Sequence, residues 1–395
     1  METLTGKALA RTVVRNRLLA PEGWPMPYGL RAAPLRAAEP DLSEHEAKRR
    51  RLLHLLDAEG IEAAALTSQP ALAWYLEGAR THVSLAAPPI AAVVVSRDGD
   101  RVHVTSNEAE RLAAEELPEW AEIVEHPWYA NVAAAAEAEA LAAGGAAEGR
   151  LEPGLRAARQ QLLPAEMRRY RELGAGVAAL LTRCLSSASP TEPERDFAAR
   201  LAAGMVELGA EPIVVLAGGE ERRRHRHPLP TPAALGARAM VVVCARRSGL
   251  ILNATRWVRF GSRTASELDA DRRILGVEAA YLGASRPGSS LAAAFAAGTA
   301  AYADHGFEKD EWTRHHQGGV AGYAGRDPRA APGLDVPLGT DVAFAWNPTA
   351  PGCKVEDTIL STESGLEVLS SDPAWPTVDV EVAGQQLARP DVLEL

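Results

Sequence analysis

Apolar and polar positions change period several times along the chain, and each change predicts an element. Leu52, Leu53, Leu55 and Leu56 share one helical face behind a Ser43 N-cap, with Glu44 and Glu46 in the first turn. The runs AAALT (63–67), IAAVVVS (90–96) and RVHVTS (101–106) predict short strands, the last two joined by the turn RDGD, and NEAERLAAEEL predicts the helix that follows. An Ala-rich, Gly-terminated stretch at 133–145 closes this pattern, and LEPGLRAARQQLLP (151–164) predicts a crossing into a second domain.

Helical periodicity then resumes over about 164–187 and 192–208, the second stretch opening on Thr191 with Glu194 three residues on, a capping box. Strand–turn–strand patterning runs through EPIVVLAGG and RAMVVVCARRSGLILNATRWVRFG, followed by a helix over about 264–304 and short strands near 340–346 and 355–362. The order predicts an α/β N-terminal domain over 43–160 and an α+β C-terminal domain with an antiparallel sheet over 161–395. Residues 1–42, rich in Pro and Arg and weakly periodic, predict an extended arm, and no internal repeat is visible.

Composition narrows the function classes. At 395 residues with ordinary apolar and charged fractions, the chain is long enough for two globular cores. A net charge of -10 argues against nucleic acid and anionic lipid as partners, and the one basic run, RRRHR at 222–226, predicts a solvated loop. Three scattered cysteines (Cys184, Cys244, Cys353) suggest neither a disulfide framework nor a thiolate metal site and fit a reducing cytoplasm. Neither a signal peptide nor a membrane-spanning apolar run is evident.

Four segments of the second domain carry the candidate chemistry: HRHPLPT (225–231), VVVCARRSGLILNATR (241–256), HHQGGVAGYAGRD (315–327) and FAWNPTAPGCKVEDTILST (344–362). In order and spacing they resemble the pita-bread family of methionine aminopeptidase, aminopeptidase P, prolidase and creatinase, over roughly residues 45–365. In the metallopeptidases of that family two divalent ions are held by two Asp, a His and two Glu. The resemblance places those ligands at Val242, Asn253, Gly319 (three residues before Gly322) and Asn347, so only Glu356 remains an acid. Two dications about 3.5–4 Å apart need several carboxylates to be stable in a cleft. One carboxylate facing up to four positive charges does not suffice, and the expectation is no metal and no other cofactor.

Creatinase implies what replaces the metal: a His that moves protons while a carbon–nitrogen bond of a small molecule is hydrolysed. A gap-free count back from Val242 points to His225, and the His-x-x-Pro pattern to His227. A near-neutral imidazole can take a proton from water and return it to a leaving nitrogen. Glu356 is then expected to orient that His or to hold a cationic amino or guanidinium group, unless it is a buried ion-pair partner of Lys354 or Arg256. Of the glycine-rich segment, which also supplies His315, His316 and Gln317 are expected on the pocket rim with Tyr323 nearby, and the paired glycines to let backbone approach a ligand closely. Arg326, standing where the family has a second His, suits an anionic ligand group. Trp346 as a wall, Asn347 and Asn253 complete the expected substrate-binding set. Nothing near Cys353 marks it as a nucleophile. By the same resemblance, the segment 74–85 is expected to carry Arg80 and His82 into a partner's pocket, which implies a homodimer.

Three readings follow: a metal-independent hydrolase of a small amino- or guanidino-type molecule, an Xaa-Pro aminopeptidase or prolidase, and a silent binding or scaffold protein.

Overall fold

In the computed structural model, residues 43–395 and the strand pair Val14–Arg15 are described; the rest of the expected arm lies outside the described residues. The chain divides into two compact units, 1–159 and 160–395. Each is an α/β mixture with its own sheets.

In the first unit a five-stranded sheet has the order β1 (Val14–Arg15), β5 (Glu122–His126), β4 (Asp100–Thr105), β3 (Ala91–Ser96), β2 (Ala63–Leu66). β2, β3 and β4 pair antiparallel, while β5 runs parallel to β4 and to β1. Helix α1 (Glu44–Glu59) starts with the full Ser43/Glu46 capping box and buries Leu52 and Leu56. Helices α2 (Gln69–Tyr75) and α4 (Val132–Ala142) cover the sheet, and the predicted helix after β4 is a short α3 (Ala109–Arg111) continued by a π-turn. The stretch expected as the crossing contains the boundary at 159/160, and much of it is helical: α5 (Glu148–Gln160) carries Pro153 in its second turn, where burial of Leu151 and Leu155 outweighs the lost amide.

The second unit holds two four-stranded sheets. One has the order β17 (Leu393–Glu394), β8 (Leu250–Arg259), β7 (Arg238–Arg247), β6 (Glu211–Gly218); the other is β14 (Gly365–Val368), β13 (Ile359–Thr362), β10 (Val342–Trp346), β9 (Gly318–Ala321). Between β10 and β13 lies the small ladder β11 (Thr349–Ala350) with β12 (Cys353–Lys354), and β15 (Thr377–Val382) with β16 (Gln385–Pro390) forms a hairpin. Helices α6 (Pro164–Ser186) and α7 (Glu194–Glu207) lie where helical period predicted them.

Two expectations are corrected here. The predicted 264–304 helix is two helices, α8 (Ala265–Ala284) and α9 (Leu291–Asp304), because Pro287 and a left-handed Gly288 at φ 81° cannot continue the first. The Thr191/Glu194 capping box does not form either: Pro193 is the N-cap, and the buried Glu194 carboxylate serves donors from a distant loop. A continuous apolar cluster that includes Ile274, Tyr281, Tyr302, Phe344 and Trp346 packs α8 and α9 against β9, β10 and β13. Among the described residues no helix is long and apolar enough to cross a membrane.

Candidate active site

The loop between β6 and β7 carries HRHPLPT, and side chains from elsewhere hold it. Glu194 accepts from the Gly219 amide (2.7 Å), from the Thr231 amide (3.0 Å) and hydroxyl (2.7 Å), and from Arg222. Arg226 pairs with Glu311 and donates to Thr349 Oγ1 at 3.0 Å. The basic run is therefore more than a solvated face, since two of its arginines are anchors. Within this loop the two candidate histidines separate. His225 is exposed, its amide closing a turn on the Arg222 carbonyl, whereas His227 Nε2 lies 3.1 Å from His315 Nε2.

His227, His315 and His316 form a compact cluster. Ring centroids are 4.7 Å apart for His227–His315, 5.7 Å for His227–His316 and 4.4 Å for His315–His316. His227 is exposed, His316 half-buried and His315 buried, and the Nδ1 atoms of His315 and His316 have no hydrogen-bond partner among the described residues. Burial, then Lys354, holds His315 at about 2; burial, then Arg326 and Arg329, holds His316 at about 3. His227 is lowered by the same two causes, burial first and Lys354 second. The rings are therefore neutral at physiological pH, each with one basic nitrogen, and one of the two facing Nε2 atoms of His227 and His315 donates to the other.

Glu356 is buried, and protein donors occupy it. Arg326 Nη2 donates to Oε1 at 2.6 Å, Lys354 Nζ lies 3.2 Å from Oε2, and the Thr255 hydroxyl donates to Oε2 at 2.8 Å. Burial pushes its carboxyl up, but Lys354 and Arg326 together outweigh burial and hold it at about 2. The expectation that Glu356 orients the His or grips a cationic ligand group is corrected, and the alternative of a buried ion pair holds for Lys354 but not for Arg256, which pairs with Asp357: the Glu356 oxygens are spent on Arg326, Lys354 and Thr255. Lys354, Arg326 and Arg329 all act on the histidines, against this single carboxylate, so the surround is net cationic.

Several expected substrate-binding residues belong to the core instead. Gln317 is 1% exposed; its Oε1 accepts from the Tyr281 and Tyr302 hydroxyls (3.2 and 2.7 Å) and its Nε2 donates to the Trp312 and His315 carbonyls (2.9 and 2.7 Å). Tyr323 donates to Glu166 at the start of α6, 2.5 Å away. Trp346 stacks on Tyr281 at 4.4 Å and donates to Ser285 Oγ at 2.8 Å, so it is a core residue and not a pocket wall. Asn253, fully buried, accepts from the Cys244 thiol (3.1 Å) and donates to the Ile251 carbonyl (3.2 Å). Asn347 is held by its amide on the Gln317 carbonyl, and its Oδ1 is buried without a partner among the described residues. The Arg326 Nε is likewise unmatched.

Gly318 and Gly319 do take positive φ (109° and 145°), but what they approach is protein. A Cβ at Gly318 would stand 2.2 Å from the Ala345 carbonyl oxygen, and one at Gly319 2.4 Å from the Pro328 carbonyl oxygen. Cys353 is buried with its thiol pushed up to about 12, chiefly by burial, and is no nucleophile. In the first unit Arg80 is tied to Glu116 at 2.5 Å.

Sequence reasoning assigned no pocket role to Lys354, Arg329 or Thr255, and none to His315 beyond its place in the motif. Lys354 and Glu356 stand two residues apart in extended chain, which puts both on one face; that spacing was the available signal for Lys354.

At the level of sequence, no family model and no curated protein matches the chain. Structure finds relatives. The dipeptidase PepE from Mycobacterium ulcerans superposes with a TM-score of 0.67 at 18% identity, over 84% of this chain and 96% of that one. An Xaa-Pro dipeptidase from Bacillus anthracis gives 0.67 at 17% identity, over 89% and 100%. The N-terminal domain of the FACT complex subunit SPT16 from chickpea (Cicer arietinum) gives 0.59 at 13%, over 83% and 97%.

The fold is the pita-bread fold.

At these identities what is shared is the fold, and fold alone licenses no activity. The dinuclear cluster that pita-bread metallopeptidases hold does not fit this chain's residues. Val242 packs with Leu216, Met240 and Trp257. Asn253 is consumed by Cys244 and Ile251, and the backbone leaves no room for any side chain at Gly319. Asn347 offers one neutral oxygen, and Glu356 is already salt-bridged to two cations. A pair of dications would meet no free carboxylate at these positions.

Proposed function

We propose that the chain hydrolyses a carbon–nitrogen bond of a small molecule without a dinuclear metal cluster, His227 moving the proton. The neutral His227 ring takes a proton from water as the water oxygen bonds to carbon. It then returns that proton to the nitrogen as the carbon–nitrogen bond breaks, so that water is consumed and an amine or ammonia leaves. The observation that carries this reading is the placement of His227: an exposed imidazole, 3.1 Å from the buried His315 ring, at the edge of a cationic surround. Because Glu356 is occupied, the ligand is not gripped through a cationic group. The unmatched Arg326 Nε and the excess positive charge suit an anionic group such as a carboxylate.

The activity of the Bacillus anthracis relative, an Xaa-Pro dipeptidase, is the second reading, and the unfit ligand set weighs against it. The proposed protein is a cytoplasmic homodimer; the exposed Val83 and Leu85, within the segment expected to reach a partner, support self-association, and sedimentation analysis tests it.

The test is a screen of chelator-dialysed protein against small amides, ureas and guanidines that carry a carboxylate, reading amine or ammonia release. Turnover is expected without added metal, and His227→Asn should lower it by about 10²–10⁴-fold. Hydrolysis of Xaa-Pro dipeptides that appears only on adding manganese, cobalt or zinc would establish the peptidase reading instead. Ligand binding without turnover of any candidate would point to a silent binding protein.

A further inference from the structure

The histidine cluster has a second property that the proton-transfer reading leaves unused. Each of the three rings offers a nitrogen, and these atoms all lie within 4.8 Å of one another. In a tetrahedral shell with metal–nitrogen distances of about 2.0–2.1 Å, two ligand nitrogens stand about 3.3 Å apart. The His227 and His315 Nε2 atoms are already at 3.1 Å. Three imidazoles on one such ion have centroids roughly 5 Å apart, and the observed 4.4, 4.7 and 5.7 Å bracket that value. His315, only 9% exposed, and His316 each also retain a buried Nδ1 without a partner among the described residues, so both rings keep a nitrogen that no protein group uses.

We propose that His227, His315 and His316 capture a single divalent transition-metal ion, and that this ion inhibits hydrolysis by occupying the His227 lone pair. None of the three residues stands at a position to which the resemblance assigns a ligand of the two metallopeptidase ions. Only the inhibitory consequence rests on the function proposed above; the capture itself does not.

Charge selects which ions qualify. Lys354, Arg326 and Arg329 oppose a dication, and Glu356 offsets one of the three. Repulsion between like charges a few ångströms apart is strong in a partly desolvated site, so an ion bound mainly by Coulomb attraction to oxygen is excluded. Magnesium, calcium and manganese fall in that class, whereas zinc, copper and nickel bind imidazole strongly enough to persist. The same repulsion keeps affinity moderate, so capture is reversible. The fourth coordination position opens at exposed His227, where the neighbouring cations favour hydroxide or another anion.

The experiment titrates chelator-dialysed full-length protein with zinc by calorimetry and with cobalt by visible absorption, in the absence of substrate. Expected are one equivalent of zinc bound reversibly and the intense ligand-field bands of four-coordinate cobalt. Affinity should fall more than about tenfold in His227→Ala, an exposed position that folding tolerates, and likewise in His316→Ala. Lys354→Gln should tighten binding, because it removes one opposing charge; a merely structural lysine predicts no such gain. No stoichiometric binding, affinity unchanged in both histidine variants, or affinity abolished by Glu356→Gln with the histidine variants intact would each overturn the proposal. In any assay where the protein turns over, one equivalent of zinc should suppress the rate, and activation by zinc would overturn the inhibitory part.

Discussion

Each unit of the protein brings histidines together, and the two groups differ in the sign of their neighbours. In the first unit His103 Nδ1 lies 2.9 Å from His126 Nε2, the rings stacked at 5.0 Å. His103 Nε2 is 3.3 Å from Glu139, which is itself paired with Arg101 at 2.6 Å. Acid, base and ring close on one another, and the arrangement is an internal polar link. In the second unit the triad faces Lys354, Arg326 and Arg329, and the one carboxylate present, Glu356, is bonded to the cations and not to the rings. In each cluster a buried ring nitrogen lacks a hydrogen-bond partner among the described residues, His103 Nε2 in the first and the Nδ1 atoms of His315 and His316 in the second. Histidine clustering by itself does not distinguish a packed element from a site; what differs between these two is whether a carboxylate or a set of cations faces the rings.

The largest effect that can break this comparison lies at Glu356. Removing its charge leaves Arg326 and Lys354 buried without compensation, so Glu356→Gln should destabilise the protein by about 3–5 kcal/mol in denaturant melts. A loss below about 1 kcal/mol would show that Glu356 does not anchor the cations and would return it to the ligand pocket.

Acid supplies the next test. Glu356 has a folded value of about 2 against an ordinary 4.5, so its contribution, about 3 kcal/mol, is complete above pH 4.5 and is lost as pH falls toward 2. His315 and His316, held at about 2 and about 3, refuse protons that unfolded histidines accept below 6.5. Stability therefore begins to fall near pH 6.5, above the ordinary carboxylate range, and chemical melts at half-unit pH steps read this directly. A flat profile between pH 6.5 and 5 would contradict the neutral triad.

The smallest effect is expected in the first unit. Glu139 is partly exposed, and Glu139→Gln should cost no more than about 1 kcal/mol, since water can take over the lost contacts. A loss as large as that of Glu356→Gln would erase the contrast between the two clusters.

Legibility followed the range of the interactions. The Ser43 N-cap, with Glu46 in the first turn, was readable within a few residues, whereas the box expected at Thr191/Glu194 was overridden by Gly219, Thr231 and Arg222, donors from a distant loop. Gln317, Tyr323, Trp346 and Asn253 read as pocket residues because polar or aromatic side chains beside glycines look alike in a core and in a cleft. Their partners Tyr281, Tyr302, Glu166, Ser285 and Cys244 decide the matter, and they come from other elements. His225 and His227 are indistinguishable by local chemistry, and proximity to His315, 88 residues away, separates them.

By itself, the sequence determined the periodicities of the helices and strands, the order of the four motif segments and, at the positions the family resemblance assigns to metal ligands, the absence of an acid at 242, 253 and 347 and of a His at 319. Those follow from residue type and spacing, which act over a few positions. Only the tertiary structure decided that Glu356 is shared between Arg326 and Lys354, that three histidines from two distant segments meet, and that Nδ1 of His315 and of His316 stays without a partner among the described residues. Charge pairing and desolvation depend on distances between elements, and a one-dimensional pattern does not contain those distances.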